Sequence, residues 1–251
     1  MLDRFYINSV SVDESRLKHL NDTYLYDVIS TKYLLDGNEL HFDNPVTFLI
    51  GENGSGKSTL LEAIAVAYGF NAEGGSKFFN FSTNKSHSDF YKCIRLGKEV
   101  PYKDGFFLRA ESFYNVATNI DDMDKVAAAA PPIIDSYGGV SMHKQSHGEG
   151  FLSLVKNRFH GNGLYILDEP EAALSPMRLL TFLAEMKYLV DKNAQFIIST
   201  HSPILMAFPN AKIYEITDKG IRETTYQETK HYKVTKSFLD NHERTFKYLF
   251  E

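Results

Sequence analysis

The clearest alternation of apolar and polar positions lies between residues 46 and 68. After Pro45, an uncharged run from Val46 to Ile50 has the character of a parallel strand that is buried on both faces. A Gly-rich turn follows, and apolar residues then recur at helical spacing from about Lys57 to Tyr68. The pattern predicts a buried strand, a glycine turn and an amphipathic helix in immediate succession.

The second half of the chain repeats this alternation. The predicted elements are a helix at 147–160, a strand at 163–168, a helix at 176–191, strands at 195–199, 211–216 and 221–226, and a C-terminal helix from about Thr235. Alternating strands and helices predict an α/β fold in which a mostly parallel central sheet is flanked by helices. The polar and aromatic stretch at 226–232 is expected to be a solvated loop, with contact to a partner as the alternative.

The first half is less regular. Two β-type runs, residues 5–12 and the tyrosine-rich 24–29, predict an antiparallel β portion near the N-terminus. Residues 71–105 predict an irregular surface segment, before a strand at 106–110 and a helix at 113–130. We expect one domain over residues 1–251, in which about 71–145 forms an inserted, partly helical lobe.

Composition and charge narrow the function classes. The 251 residues carry a net charge of −5, which gives no global attraction to nucleic acid or to an anionic membrane. The single cysteine, Cys93, excludes an intrachain disulfide. There is no signal-peptide pattern and no apolar stretch of the roughly 20 residues that span a bilayer. We therefore expect a cytoplasmic protein without direct membrane insertion.

Residues 51–59, between the predicted strand and helix, match the phosphate-binding pattern G-x-x-x-x-G-K-[ST] in full. Its backbone N–H groups converge on phosphates at a helix N-terminus, whose dipole favours anions. Lys57 is expected to bridge the β- and γ-phosphates and Ser58 to ligate Mg²⁺; a Gly-rich turn that matches by accident is the alternative. The residues expected to hold ATP are Gly51, Asn53, Gly54, Ser55, Gly56, Lys57, Ser58 and Thr59.

Two acidic residues end the predicted strand at 163–168. Asp168 closes the apolar run, where a strand would deliver a carboxylate to Mg²⁺, and Glu169 is positioned to polarise an attacking water. The alternative is that two acids merely begin a loop. Since the pair follows a complete phosphate-binding motif, we expect an ATPase that activates water rather than a kinase with a bound acceptor.

These motifs resemble the ABC ATPase superfamily, and more closely its soluble branch, which includes the heads of SMC proteins and related recombination and repair ATPases. The resemblance rests on residues 51–64, GENGSGKSTLLEAI, and 200–205, THSPIL. Over nearly its full length the chain also resembles a small stand-alone family of bacterial AAA/ABC-type ATPases. The resemblance implies a P-loop NTPase fold with an ABC-type ATPase head.

The resemblance also implies further site residues. The segment 146–150, SHGEG, is similar to the ABC signature, in which Ser146 and Gly148 would grip the γ-phosphate of ATP bound to another subunit; a simple serine N-cap is the alternative. Residues 171–176 correspond to the D-loop. His201 resembles the switch histidine that contacts the γ-phosphate and the water, although a histidine at a strand end can also be merely packed or solvated.

Three features depart from the ABC pattern. Glu111 stands where a glutamine usually senses Mg²⁺ and water, and it could instead pair with Arg109. The interval before residue 146 has no sustained heptads, which excludes the long coiled-coil arm of SMC-like heads. No adenine-stacking aromatic residue can be identified, because the upstream candidates, Tyr24, Tyr26 and Tyr33, are each expected to be core residues.

The resulting expectation is an ATP-dependent homodimer that binds and hydrolyses ATP with Mg²⁺. Each composite site would use Lys57, Ser58, Asp168, Glu169 and His201 from one chain, and Ser146 with Gly148 from the other. Catalysis would be positioning plus electrostatic stabilisation. The process served stays open between nucleic-acid maintenance or defence, a membrane transporter's nucleotide-binding subunit, and ATP-dependent regulation of a separate effector protein.

Overall fold

The strongly apolar strands of the sequence lie side by side in one central sheet. The computed structural model describes residues 5–19, 23–76, 88–109, 113–125 and 132–250. The strands within these ranges are β1 Ser9–Val12, β2 Leu40–His41, β3 Val46–Gly51, β4 Ile94–Gly97, β5 Asp104–Arg109, β6 Gly163–Asp168, β7 Gln195–Ser199, β8 Lys212–Thr217 and β9 Gly220–Thr224. The α-helices are α1 Ile29–Leu35, α2 Lys57–Tyr68, α3 Phe113–Met123, α4 His147–Arg158, α5 Pro176–Val190, α6 Pro203–Met206, α7 Lys230–Asp240 and α8 His242–Phe250.

The central sheet has the strand order β5-β6-β7-β3-β8-β9. Its first five strands run parallel, and β9 returns antiparallel to β8 in a hairpin. Every residue of β3, β6 and β7 is buried, because helices cover both faces of the sheet. A second, antiparallel sheet has the order β2-β1-β4. The predicted α/β fold, with a mostly parallel sheet and an N-terminal antiparallel portion, is confirmed.

Two apolar layers hold the helices on the central sheet. On one face, Phe151 of α4 meets Phe182 of α5 edge-to-face, with ring centroids 5.2 Å apart, above the buried Phe196 of β7. On the other face, α2 buries Leu60, Leu61 and Ile64 beneath the small sheet. The sheet is thereby fixed from both sides, and the carboxyl ends of β3, β6 and β7 meet at one edge.

The predicted strand at 24–29 is wrong. Thr23–Tyr26 forms a 3₁₀ turn, and α1 begins at Ile29. The Thr31 hydroxyl lies within hydrogen-bond distance of the carbonyl oxygens of Leu25 and Val28, so a local turn engages groups that a neighbouring strand would need. Tyr24 and Tyr26 are also exposed rather than in the core, and their β propensity is overridden by this context.

The expected irregular segment at 71–105 is partly wrong as well. Asp89–Lys92 forms a 3₁₀ turn that buries Phe90, and β4 follows it, antiparallel to β1 over four residue pairs. The partner strand β1 lies more than 80 residues upstream, so no local sequence pattern predicts this pairing. The division into one domain with an inserted lobe stays a prediction, and residues 126–130 of the predicted helix at 113–130 lie outside the described ranges.

The C-terminal prediction also needs correction. The expected loop at 226–232 is a 3₁₀ turn followed by the first turn of α7, which begins at Lys230 rather than Thr235. Thr229 is fully buried and caps α7, since its hydroxyl oxygen accepts a hydrogen bond from the Tyr232 N–H. None of the helices described here is both long enough and apolar enough to cross a bilayer.

Candidate active site

The loop of residues 51–59 joins β3 directly to α2, as predicted. Gly56 precedes the helix with a φ of +92°, and a Cβ on it would lie 2.2 Å from a methyl carbon of Val28, so only glycine fits this position. Ser30 of α1 braces the loop: its hydroxyl donates to the Gly56 carbonyl oxygen at 2.8 Å. The loop is thus held from behind by α1, while Asn53 and Gly54 at its tip are exposed.

Lys57 is folded back over the loop. Its Nζ donates to the carbonyl oxygens of Gly51 at 2.9 Å and Glu52 at 3.1 Å, and the residue is 96% buried, with 4% of its surface exposed. Burial lowers the pKa of Lys57, while nearby carboxylates, of which Glu169 contributes most, oppose that shift. The ammonium therefore occupies the concave side of the loop, where an anion would be its preferred partner.

The two predicted magnesium ligands touch one another. The Ser58 hydroxyl, in the first turn of α2, donates to a carboxylate oxygen of Asp168 at 3.0 Å. The Ser199 hydroxyl at the end of β7 donates to the same oxygen, and Arg109 Nε lies 3.8 Å from the other. Burial raises the pKa of Asp168 despite these partners. The carboxylate and hydroxyl oxygens lie close enough together to serve as ligands of one hard divalent cation.

No group of three or more His, Cys, Asp or Glu side chains able to hold a metal exists in the described part of the chain. The oxygen atoms of Ser58 and Asp168 are the pair that could contact a divalent cation here. Magnesium keeps several waters and completes its octahedron with substrate phosphates, so one or two protein oxygens suffice.

Glu169 follows Asp168 in the chain, and its side chain lies close to that of His201. Glu169 adopts a left-handed backbone conformation with φ of +50°, and its N–H donates to the Ser199 carbonyl oxygen at 3.1 Å. His201 Nε2 lies 3.4 Å from Glu169 Oε1. Parallel strands that end side by side thus bring together residues that lie 32 positions apart in the sequence.

The predicted signature segment is separate from this cluster. Ser146 is the exposed N-cap of α4, and its hydroxyl and N–H both donate to Glu149, at 2.6 and 3.0 Å, as in a capping box. Gly148 is buried, and a Cβ on it would lie 2.7 Å from the carbonyl oxygen of Ala173. Arg178 of α5 donates to Glu149 at 3.0 Å. The described contacts of Ser146 and Gly148 join neither the P-loop nor Asp168.

The remaining residues that were predicted to bind ATP or Mg²⁺ are Ser55, Thr59 and Glu111. Ser55 is buried with an unpartnered hydroxyl among the described residues, and Thr59 is half-buried in the first turn of α2. The prediction for Glu111 falls outside the described residues. Arg109, its suggested partner, forms an ion pair with Glu62 of α2 at 2.6 Å.

The structure adds a contact for Glu171, which begins the D-loop segment, and one residue that sequence reasoning did not assign to the site, His231. Glu171 is buried, its Oε1 accepts the His201 N–H at 2.5 Å, and burial raises its pKa. His231 at the start of α7 lies against the His201 ring, with Nε2 3.2 Å from His201 Nδ1. A histidine next to a helix cap in a polar stretch gives no local signal of this contact, because it depends on how α7 returns to the sheet edge.

Comparison with known proteins finds related domains in two parts of the chain. A family model described as an AAA domain matches residues 32–120. A second AAA domain model, whose description also names the AbiEii toxin and a Type IV TA system, matches residues 149–207. The first range includes the P-loop, and the second includes Asp168, Glu169 and His201.

The individual proteins that resemble this chain share only a small fraction of its residues. The chain is 24% identical over 219 residues to the tungstate uptake system ATP-binding protein TupC of Campylobacter jejuni; the alignment covers 77% of this chain, which spans 64% of that relative. The SMC head domain from Thermotoga maritima is 15% identical, covering 88% of this chain and 99% of that chain, with a TM-score of 0.44. An ATP-binding cassette of an ABC transporter is 16% identical, covering 78% and 90%, with a TM-score of 0.48.

The two AAA matches fall on the two halves of one site that the folded chain assembles, and in both parts the chain is similar to AAA/ABC-type ATPase domains.

Proposed function

We propose that this domain binds ATP together with Mg²⁺ and hydrolyses it. The observation that carries the proposal is the 3.0 Å contact between the Ser58 hydroxyl and Asp168, at the edge where β6 ends beside the P-loop helix. The bound ion would neutralise charge on the β- and γ-phosphates. Lys57, which now bonds to loop carbonyls, would turn its ammonium toward the same phosphates.

Glu169 and His201 supply the groups around the attacking water. The Glu169 side chain is 39% exposed, so its carboxylate can reach water and orient or deprotonate it. His201, 3.4 Å away, can donate to a phosphate oxygen as negative charge develops there. A carboxylate that solvent can reach supports hydrolysis over transfer to another acceptor.

The direct test replaces Glu169 with glutamine. Glu169→Gln keeps the size and shape of the side chain and one acceptor oxygen but cannot take up a proton, so phosphate release should fall by about 100- to 10,000-fold while ATP binding persists. Lys57→Ala is the comparison variant and should lose ATP binding itself. Phosphate release by Glu169→Gln at the wild-type rate would show that another group activates the water.

The proposal includes a head-to-tail homodimer in which Ser146 and Gly148 of one chain meet the ATP held by the other. Ser146 is exposed at a helix N-terminus, and neither residue contacts the P-loop of its own chain in the described structure. Since Glu149 now holds the Ser146 hydroxyl at 2.6 Å, engagement would require that carboxylate to move away.

Mixing two inactive variants tests this arrangement. Lys57→Ala lacks a working P-loop, and Ser146→Arg would block the surface offered to the partner. A mixed dimer contains one intact composite site, so ATPase activity should reappear on mixing. Full activity of Ser146→Arg alone, or a mixture that stays inactive although light scattering shows mixed dimers, would refute the composite site.

For the process served, we propose an action on nucleic acid, because a basic groove lies between α7 and α8. Lys233, Lys236 and Arg244 line this groove of about 700 Å³ together with Tyr232 and Asp240. Asp240 pairs with Lys236 at 2.8 Å, so Lys233 and Arg244 are the cations offered to a ligand. Cations beside an aromatic ring suit a single strand. Binding of a labelled oligonucleotide should weaken steeply with salt and with Lys233→Glu combined with Arg244→Glu; salt-independent binding would contradict it.

Two other functions are each supported by one observation. The name of the relative TupC favours a nucleotide-binding subunit of an uptake system, which predicts copurification with a membrane protein. The description of the second AAA model, which names a toxin system, favours control of a separate effector, which predicts that Glu169→Gln traps that effector with ATP. Crosslinking in cells, followed by identification of the captured partner, separates the two.

A further inference from the structure

The first turn of α7 reaches back to the candidate active site through two consecutive side chains. Lys230 Nζ lies 2.6 Å from Glu52 Oε1 of the P-loop, and His231 Nε2 lies 3.2 Å from His201 Nδ1. The Lys230 pair is largely exposed and adds little to stability. The histidine pair is shielded, with His201 Nε2 and His231 Nδ1 both buried atoms that have no hydrogen-bond partner in the described structure.

The environment of His231 favours the neutral form of its ring. Burial is the largest cause that lowers the pKa of His231, and the nearby His201 adds to the effect. A neutral imidazole carries one N–H, so the hydrogen bond between the two histidines can be arranged in only two ways when His201 is also neutral.

In the first arrangement, His231 Nε2–H donates to His201 Nδ1. The proton of His201 is then on Nε2, which faces the Glu169 carboxylate at 3.4 Å. In the second, His201 Nδ1–H donates to His231. A bare His201 Nε2 would then face a carboxylate, and His231 would carry a buried N–H on Nδ1 without an acceptor. In the second arrangement two acceptors, His201 Nε2 and the Glu169 carboxylate, face each other, and the buried His231 Nδ1–H has no acceptor. The first arrangement is therefore favoured.

We propose that His231 is a positioning residue for hydrolysis: by donating from Nε2 to His201 Nδ1, it keeps the His201 Nε2–H directed at Glu169 and the phosphate. The proposal rests on the ATPase function proposed above. It adds a residue of the C-terminal helix pair, outside both AAA matches, to the machinery that orients the water and the γ-phosphate.

The positioning role requires only a donor at Nε2, and this provides the test. His231→Phe keeps the size and shape of the ring but removes the donor, whereas His231→Gln places an amide N–H near the same position. His242→Phe is the matched control, because it makes the same substitution on an exposed histidine of α8.

The kinetic readout is steady-state phosphate release. Loss of the partner that orients a functional histidine costs about 10- to 100-fold, so kcat of His231→Phe should fall by that factor with KM for ATP unchanged. His231→Gln should recover most of kcat, and His242→Phe should match the wild type. Equal kcat for His231→Phe and wild type, or equal losses for the Phe and Gln variants, would overturn the proposal.

A second readout does not depend on activity. Nitrogen NMR of the nucleotide-free protein should show His201 protonated on Nε2 and bare on Nδ1, with the signal assigned by its absence from His201→Gln. A wild-type His201 protonated on Nδ1 would overturn the proposal even in an active enzyme. If the wild type does not hydrolyse ATP, the proposed function fails, and the NMR result still decides the histidine arrangement.

Discussion

Arg109 connects three elements of the site, and its removal should reveal how much that connection stabilises the fold. From the end of β5, Arg109 forms an ion pair with Glu62 of α2 at 2.6 Å, and its Nε lies 3.8 Å from the Asp168 carboxylate at the end of β6. Arg109→Met keeps much of the apolar stem and removes the cation. Two carboxylates in a poorly hydrated region would then lose a shared counter-charge.

The size of the effect follows from burial. Removing one partner of a fully buried pair costs about 3–5 kcal/mol. The Arg109 side chain is 24% exposed and that of Glu62 10%, so water can compensate for part of the loss. A charged hydrogen bond under these conditions contributes about 1.5–3 kcal/mol. We therefore expect the free energy of unfolding to fall by about 1.5–3 kcal/mol at pH 7.

Urea unfolding followed by far-UV circular dichroism measures this loss, since the chain has no tryptophan to report by fluorescence. With a slope of about 3 kcal/mol per molar urea, the midpoint should fall by roughly 0.5–1 M. The loss should also depend on pH. Burial raises the pKa of Asp168 and Arg109 counters that rise, so part of the cost appears only while Asp168 is ionised and disappears as pH falls through its folded-state pKa.

A double-mutant cycle with Glu62→Gln isolates the pair. The coupling energy between Arg109→Met and Glu62→Gln should be a large part of the single-variant loss, and Arg109→Lys should lie between wild type and Met. A midpoint within error of the wild type, or a loss that is the same at pH 5 and pH 8 with no coupling, would refute this reasoning.

Three further predictions follow from the same geometry. Asp168→Asn should abolish ATP turnover yet raise the melting temperature of the nucleotide-free protein at pH 8. The pKa of Asp168 is raised in the folded state, so its ionisation lowers the free energy of unfolding as pH rises. The gain in melting temperature should therefore shrink as pH is lowered, which differential scanning fluorimetry measures. Gly148→Ala should lower the free energy of unfolding by about 1–3 kcal/mol, because its Cβ would lie 2.7 Å from the Ala173 carbonyl oxygen. It should also weaken ATP-dependent dimers in light scattering. An unchanged urea midpoint would contradict this contact. Phe182→Ala should cost about 3–5 kcal/mol by leaving a cavity against Phe151, and a loss below 1 kcal/mol would mean that α5 repacks.

The sequence predicted those parts of the site that are contiguous in the chain. The strand that ends at Gly51, the turn and the helix from Lys57 follow one another, so a local pattern is sufficient to predict them. Asp168 was predictable for the same reason, since it closes a buried strand. The roles of these residues toward ATP and Mg²⁺, and those of Ser146 and Gly148, stay predictions.

The missed features depend on contacts between distant segments. The pairing of β1 with β4 joins residues more than 80 positions apart, and the contact of His201 with His231 requires α7 to return to the sheet edge. Neither partner carries a periodic or compositional signal of the other. The error at residues 24–29 has a different cause: tyrosines favour strands on average, whereas here the Thr31 hydroxyl donates to the Val28 carbonyl oxygen within a turn.

The central position of β3 has a consequence for how the protein is made. Its neighbours in the sheet are β7 and β8, which end at Ser199 and Thr217, whereas β3 ends at Gly51. At about 5–20 residues per second, a ribosome takes roughly 10–30 s to synthesise the intervening chain. During that interval β3, which is buried over its whole length in the folded chain, has neither of its neighbouring strands, so the phosphate-binding loop cannot take its final place until β7 and β8 have been made.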